Sequence, residues 1–294
     1  MNDGYQPLVS VAVITYNSSK TVVETLDSIY NQTYPNLELI VSDDCSSDNT
    51  VEICRDWIEA HKDRFVRTEL LTVEKNTGVS ANMNRGADAC QGEWVKDIAG
   101  DDVLLPDCVE TYVDYVGEHQ EAVYVFANVK LLGGDEETRR YVRNCYSDMD
   151  SFFNMSIDEQ YDYLTLNCNP IYAATTFYNR DRVISLGIRN DERIPLEEDR
   201  AKWINCLKAG VRFCYINRAT ALYRMSDSSL CRNPVTHSKA VAQVYLYYCF
   251  RNDYKKRDKK NAVLRWIRSQ RTVHDNAFVW RIICKLYRVV FRIE

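Results

Sequence analysis

Apolar and polar positions change period several times along this chain, and each change predicts an element. Leu8–Tyr16 is nearly all apolar and β-branched, the pattern of a strand covered on both faces. Val22, Val23, Leu26, Ile29 and Tyr30 fall at helical spacing within Ser19–Gln32. A second strand, Leu37–Val41, runs into the polar stretch Ser42–Asp48. A helix from Asn49 to Ala60, a strand over Thr68–Val73, a helix over Val79–Cys90 and a strand over Glu93–Ile98 continue the alternation. Such an order predicts an α/β fold with a Rossmann-like, mostly parallel sheet, right-handed crossovers and helices on both faces.

Past residue 104 the alternation loosens. A helix is expected over Asp107–Glu118 and a strand over Ala122–Leu132, then a Gly-Gly-Asp turn and an acidic, aromatic stretch to Leu166. A strand over Ile171–Tyr178 and a helix over Glu198–Ala209 follow, then short strands at Val211–Ile216 and Ala221–Arg224. From about Val235 the pattern is helical to the end. The expected organisation is a domain over 1–230, with halves 1–103 and 104–230, and a helical extension over 231–294.

Composition narrows the class. Hydrophobic residues at 46% suffice for a full core, and 10 Gly with 6 Pro exclude collagen-like and low-complexity chains. No run of about 18 apolar residues predicts a spanning helix, and the N-terminus lacks a signal-peptide pattern, so a cytoplasmic chain is expected. The 11 cysteines include no C-x-x-C pair, which argues for buried thiols rather than zinc or disulfide frameworks. Charge is uneven: residues 251–294 hold 13 Lys and Arg against 4 Asp and Glu, whereas the first 250 hold 24 against 38. The acidic body makes nucleic acid a poor partner; the basic tail suits an anionic one.

In a parallel sheet, ligands gather beyond the C-terminal strand ends. Polar clusters fall at four of those ends: Thr15-Tyr16-Asn17, Asp43-Asp44, Glu74-Lys75-Asn76 and Gly100-Asp101-Asp102. No G-x-G-x-x-G or P-loop follows the first strand, which counts against dehydrogenases and P-loop NTPases. Carboxylates in a diphosphate site make sense when a divalent cation lies between them and the phosphates, and Asp101-Asp102 is the best candidate to hold it.

In order and spacing, SVAVITYN, LELIVSDDCSSDNT, NTGVSANMNRG and GEWVKDIAGDD resemble the family-2 glycosyltransferases of the GT-A fold, of the bacterial surface-polysaccharide type. The likeness is specific over residues 8–107. It continues more loosely through LEEDRAKWINCLKAGVRF and LYRMSDSSL, and residues 231–294 match no pattern. It implies an inverting hexosyl- or N-acetylhexosaminyltransferase that moves sugar from a nucleotide-sugar, UDP-linked by preference, to a hydroxyl of a glycan or lipid-linked acceptor. By the same resemblance Asp44 accepts from the base N–H, Thr15 and Tyr16 wall the base pocket beside Asn17, and Asn76 and Gly78 form a nucleotide loop. Asp102 is the implied ligand of Mn²⁺ or Mg²⁺, with Asp101 toward ribose or donor sugar. Asp199 is the implied general base, with Glu198 the next suspect.

Departures from the family pattern are specific. Ala99 replaces the first Asp of D-x-D-D, and Met83 stands where many members carry Arg, with Arg85 the nearby substitute. Leu186–Asp191 replaces the G-G-F-D turn, so acceptor specificity does not transfer. Two alternatives stay open: a sugar nucleotidyltransferase, although Asn17-Ser18-Ser19-Lys20 lacks the loop that enzyme needs, and a catalytically inactive nucleotide-sugar-binding protein. In Ala277–Arg292, Arg281, Lys285, Arg288 and Arg292 form one stripe beside a broad apolar arc. Packing on the body and peripheral docking at the anionic inner face of the membrane are both compatible with that helix.

Overall fold

The computed structural model describes residues 4–166, 169–194, 197–225 and Val244. Along the chain lie β1 (Val9–Thr15), α1 (Val22–Tyr30), β2 (Leu37–Asp43), α2 (Thr50–His61), β3 (Arg67–Leu71), α3 (Val79–Ala89), β4 (Trp94–Ala99) and β5 (Val103–Leu104). Next come α4 (Cys108–Glu118), β6 (Tyr124–Gly133), α5 (Glu136–Cys145), α6 (Met149–Phe153) and α7 (Ile157–Leu166). A 3-10 turn (Ala173–Thr175), β7 (Phe177–Asn179), α8 (Arg180–Ser185), α9 (Glu198–Lys208) and β8 (Phe213–Met225) complete the order.

All eight strands form one curled sheet in the order β3-β2-β1-β4-β7-β6-β8-β5. The first four run parallel, as the βα alternation requires. β7 is antiparallel to both β4 and β6, and β8 runs parallel to β6. β5 follows β4 by three residues in the chain yet pairs with β8 at the far edge. The turn at 100–102 therefore spans the sheet's curl.

Strand alternation sends side chains into two cores. One face places Val9, Val11 and Val13 of β1 under Leu26 and Ile29 of α1, Trp57 of α2 and Tyr112 of α4. The other buries Ala12, Ile40 and Val95 with Phe152, Leu164, Trp203, Ile204 and Leu207. Phe177 lies stacked between Trp94 and Tyr112, with ring centroids 5.1 and 4.7 Å away. Val244, helical and fully buried, joins the second core. The free thiols of Cys54, Cys90, Cys108 and Cys206 are buried, as their scatter through apolar runs implies.

Several expectations need correction. The expected strand Ile171–Tyr178 is a 3-10 turn followed by the short β7. Its apolar residues face a core without joining a ladder, which periodicity cannot distinguish. The two short strands expected near 211–224 are one strand, β8, whose pairing with β6 shifts register opposite Ala127–Val129. The polar pair Asn217-Arg218 marks that irregularity and reads as a turn in sequence. The acidic, aromatic stretch folds as α5, α6 and α7. The 231–294 extension, its basic stripe and the proposed boundary at 230 lie outside the described residues, Val244 apart.

Candidate active site

Four parallel strand ends meet at one sheet edge, and the loops that leave them interlock. Thr15 is buried, and its hydroxyl donates to Asp43 at 2.8 Å. Asn17 takes the left-handed conformation, φ 53°, which Asn tolerates. Its side-chain oxygen accepts from the backbone N–H and hydroxyl of Ser47, at 2.8 and 3.1 Å. Asp48 receives Ser19 N–H at 3.1 Å and also bonds Thr50. Burial pushes the Asp48 carboxyl up, but these bonds outweigh it and bring it down to about 2. Thr15, Asn17, Asp43 and Asp48 thus tie loop to loop. Of the T-Y-N group both Tyr16 and Asn17 are exposed, Tyr16 over 52% of its surface.

Asp44 is tied to the neighbouring loop. Its carboxyl is buried, and the 74–78 loop occupies it. Thr77 N–H reaches both oxygens at 3.0 Å, the Thr77 hydroxyl donates at 2.5 Å, and Gly78 N–H donates at 2.7 Å. Arg85 pairs with it at 3.2 Å. Burial raises the Asp44 carboxyl, yet the bonds from Thr77, Gly78 and Arg85 prevail and hold it below the ordinary carboxylate range. In this arrangement both Asp44 oxygens are bonded by the 77–78 loop, and Oδ1 also by Arg85. Gly78 has a backbone conformation of its own. A Cβ there would meet nothing within 4 Å, but φ of 91° with ψ of 159° is a conformation open only to glycine. Asn76 is exposed beside it.

Arg85, the nearby candidate for the Arg missing at Met83, turns toward Asp44. About two turns of α3 below Gly78, its guanidinium bonds Asn82 Oδ1 at 2.8 Å and the Ser42 hydroxyl at 3.1 Å besides Asp44.

The turn after β4 is built on close packing. A Cβ on Gly100 would lie 2.8 Å from Thr15 Cγ2, so only glycine lets this turn seat on the β1 end. Asp102 is 3% exposed, and one of its oxygens accepts from Arg224 N–H at 2.8 Å. Arg224 Nε donates to the Asp101 carbonyl at 2.6 Å. Asp101 is the more open of the two, and among the described residues no other donates a hydrogen bond to its carboxyl. Burial and then the Asp101 charge push Asp102 up to about 7, and burial raises Asp101 as well. Among the described residues no third His, Cys, Asp or Glu converges with them. The pair fits a Mg²⁺- or Mn²⁺-type cation, which is held by one or two carboxylates and completes its shell with phosphate and water oxygens. Two desolvated carboxylates with raised proton affinity are what such a cation would relieve.

Asp199 opens α9, and the segment before that helix is docked beside the 76–78 loop. Ser80 donates to the Ile194 carbonyl at 3.0 Å, and Asn84 bonds the Asn190 carbonyl at 3.1 Å. Asn169 Nδ2 donates to Asp199 Oδ2 at 2.8 Å, while Arg200 N–H meets Oδ1 at 2.6 Å. Burial first, then the Glu197 charge, raises the Asp199 carboxyl; burial and Asp199 raise Glu198. Glu197 lies 3.6 Å from Arg200. Asn169 is a site residue that sequence reasoning missed: it lies 30 positions from Asp199 with no recognisable spacing. The cavities around Leu186–Asn190 lie toward the other end of α9.

The sequence model described as "Glycosyl transferase family 2" matches residues 10–184. The chain belongs to that family. This glycosyltransferase is 26% identical over 241 residues to the teichuronic acid biosynthesis glycosyltransferase TuaG of Bacillus subtilis, covering 82% of this chain and 88% of TuaG. It is 32% identical over 136 residues to the glycosyltransferase EpsE of the same organism, 46% of each chain. Among solved structures, S. aureus TarS 1–349 in complex with UDP-GlcNAc superposes with a TM-score of 0.63 at 19% identity, over 90% of this chain and 72% of that one. The mannosyltransferase PcManGT from Pyrobaculum calidifontis, in complex with GDP-Man and Mn²⁺, gives 0.63 at 18% identity, over 92% and 74%. These likenesses show the GT-A fold. No helix among the described residues is long and apolar enough to cross a membrane.

The raised carboxylates at the start of α9 have a consequence for stability. Unfolded Asp and Glu titrate at about 4, so between about pH 4 and the raised value the folded state holds more protons than the unfolded one. Stability then falls as pH climbs through that window. Thermal unfolding should therefore show a Tm that declines from about pH 5 to about pH 8 more steeply in wild type than in Asp199→Asn. Parallel slopes would contradict the assignment.

Proposed function

We propose that the chain transfers one sugar from a UDP-sugar to a hydroxyl of a glycan or lipid-linked acceptor with inversion, Asp199 acting as general base. The observation that carries this reading is the family-2 match, supported by the ties that hold the Asp44–Arg85 loop, the Asp101–Asp102 turn after β4 and, through Ser80 and Ile194, the segment that leads to Asp199. UDP-GlcNAc bound to TarS supports a UDP-linked N-acetylhexosamine donor, and a hexose remains within the same chemistry.

In this reading Tyr16 and Asn17, the 76–78 loop and Arg85 bind the nucleotide, with Asp44 holding the loop and the Arg85 guanidinium in place. Asp101 and Asp102 hold the divalent cation, a role supported by Mn²⁺ in PcManGT. When bound there, Mn²⁺ or Mg²⁺ neutralises charge on the departing diphosphate. Asp199 takes the acceptor hydroxyl's proton as the new glycosidic bond forms on the face opposite the leaving group. Its raised proton affinity suits it to that task, because a base works best when its pKa lies near the operating pH. Asn169 fixes the carboxyl's orientation. The basic face of Ala277–Arg292 would rest on anionic lipid, close to a lipid-linked acceptor.

Calorimetry and donor turnover test the two halves separately. UDP should bind wild type roughly tenfold more tightly with Mn²⁺ than without, about 1.4 kcal/mol, and Asp101→Asn or Asp102→Asn should remove that gain. Equal affinity with and without Mn²⁺ would overturn the metal role. Asp199→Asn should lower turnover of a UDP-sugar by about 10²–10⁴-fold while UDP affinity holds. Turnover within about tenfold of wild type would move the base elsewhere.

A further inference from the structure

β4 is a central strand, covered on both faces, yet it carries two adjacent charges, Lys96 and Asp97. Alternation sends them to opposite sides. Lys96 is wholly buried and donates to the carbonyls of Asp97 and Ala174, both at 2.6 Å. Asp97 enters the second core, where Lys202 of α9 lies 3.7 Å from its Oδ2. Asp97 is 7% and Lys202 5% exposed. The Lys202 ammonium also lies over the rings of Tyr178, Trp203 and Tyr124, with centroids at 5.2, 5.3 and 5.9 Å. Desolvation makes a buried ion pair a poor source of net stability, and apolar residues of similar volume commonly do as well or better. Charges at this position call for another explanation.

Their place in the two elements supplies one. α9 runs against the direction of β4: the segment before it docks at Ser80, at the start of α3, and its end at Asn205 and Lys208 lies beside Leu186–Arg189, whose Arg189 pairs with Asp88 at the end of α3. Asp199 lies three residues before Lys202, and Asp101 four residues after Asp97. At about 1.5 Å per helical residue, the Asp199 Cα is roughly 4.5 Å along the axis from Lys202. At about 3.3 Å per strand residue, the Asp101 turn is roughly 13 Å along the chain from Asp97. Both directions lead to the same sheet edge. No hydrogen-bonded ladder ties a helix to a sheet, and apolar packing is non-directional, so it tolerates small axial shifts. One charge pair held in a ring cage removes that freedom.

We propose that the Asp97–Lys202 pair is a positioning strut that fixes the register of α9 on β4, and so the separation between Asp199 and the Asp101–Asp102 turn. This rests on the function proposed above. Neither residue reaches substrate; both act through the groups they hold.

The test compares Lys202→Met, Lys202→Arg and the double variant Asp97→Leu/Lys202→Met with wild type. Hydrolysis of UDP-glucose, UDP-galactose and UDP-GlcNAc with Mn²⁺ identifies the donor that wild type consumes fastest. Kinetics on that donor, UDP calorimetry with Mn²⁺ and thermal melts are then run on each variant. The double variant removes both members of the pair and leaves no unpaired charge in the second core, while Lys96 keeps its bonds to the carbonyls of residues 97 and 174, so it folds even where Lys202→Met does not. A misplacement of about 1 Å costs up to about 10²-fold in rate, so kcat in the double variant should fall about 10- to 100-fold. Donor KM and UDP affinity should stay within about threefold, because the nucleotide loop does not touch α9 at Lys202. Lys202→Arg, which keeps the charge, should retain more kcat than Lys202→Met. A folded double variant with wild-type kcat would overturn the strut. So would kcat, KM and UDP affinity worsening together with Tm, the mark of a purely structural pair. Wild type that consumes no UDP-sugar would instead strike the function on which the strut rests.

Discussion

The seat of Gly100 on Thr15 is the constraint on which the site depends. β4 lies in the middle of the sheet and β5 at its edge, so the chain must cross the curl in three residues. A side chain at residue 100 would collide with the β1 end, and the two aspartates that follow would be displaced. From the far side Arg224 of β8 holds the same turn, by its N–H on the Asp102 carboxyl and its guanidinium on the Asp101 carbonyl, while also pairing with Glu24 of α1. The Asp101–Asp102 turn is thus fixed by three separate elements before any ligand arrives. A pre-organised site of this kind incurs little reorganisation cost at the moment of reaction.

Electrostatics separates the carboxylates at this edge into two kinds. Asp44 and Asp48 receive enough N–H and O–H bonds to be held below the ordinary range, and they act as ionised staples between loops. Asp101, Asp102, Glu198 and Asp199 are desolvated with too few donors, and all are raised. The first kind shapes the pocket. The second kind is where the proposed cation and the proposed proton transfer would find groups suited to them.

Most of the parallel half was legible in sequence, because β-branched runs and helical spacing report burial directly, and β1, β2 and β4 fall where Leu8–Tyr16, Leu37–Val41 and Glu93–Ile98 place them. The 171–178 segment was not, since an apolar run against a core looks alike whether or not it joins a ladder. β8 was misread for the opposite reason, a polar bulge interrupting a continuous strand. At the site, residue types were legible and their bonding was not. D-D-x-S-x-D marks Asp44, but nothing in the motif says that Thr77 and Gly78 occupy its oxygens. Asn169 and Lys202 meet their partners across 30 and 105 positions, a separation that only the fold closes. Lys96-Asp97 within an otherwise apolar central strand was the one signal available for the strut.

A crystal structure of the chain with UDP and Mn²⁺ tests the central claim most directly. The account predicts manganese bridging the diphosphate and a carboxylate of the Asp101–Asp102 turn, with the base beside Tyr16 and the 76–78 loop and Asp199 facing the departing phosphate across an open space. A diphosphate bound away from that turn, or manganese held without either aspartate, would contradict it.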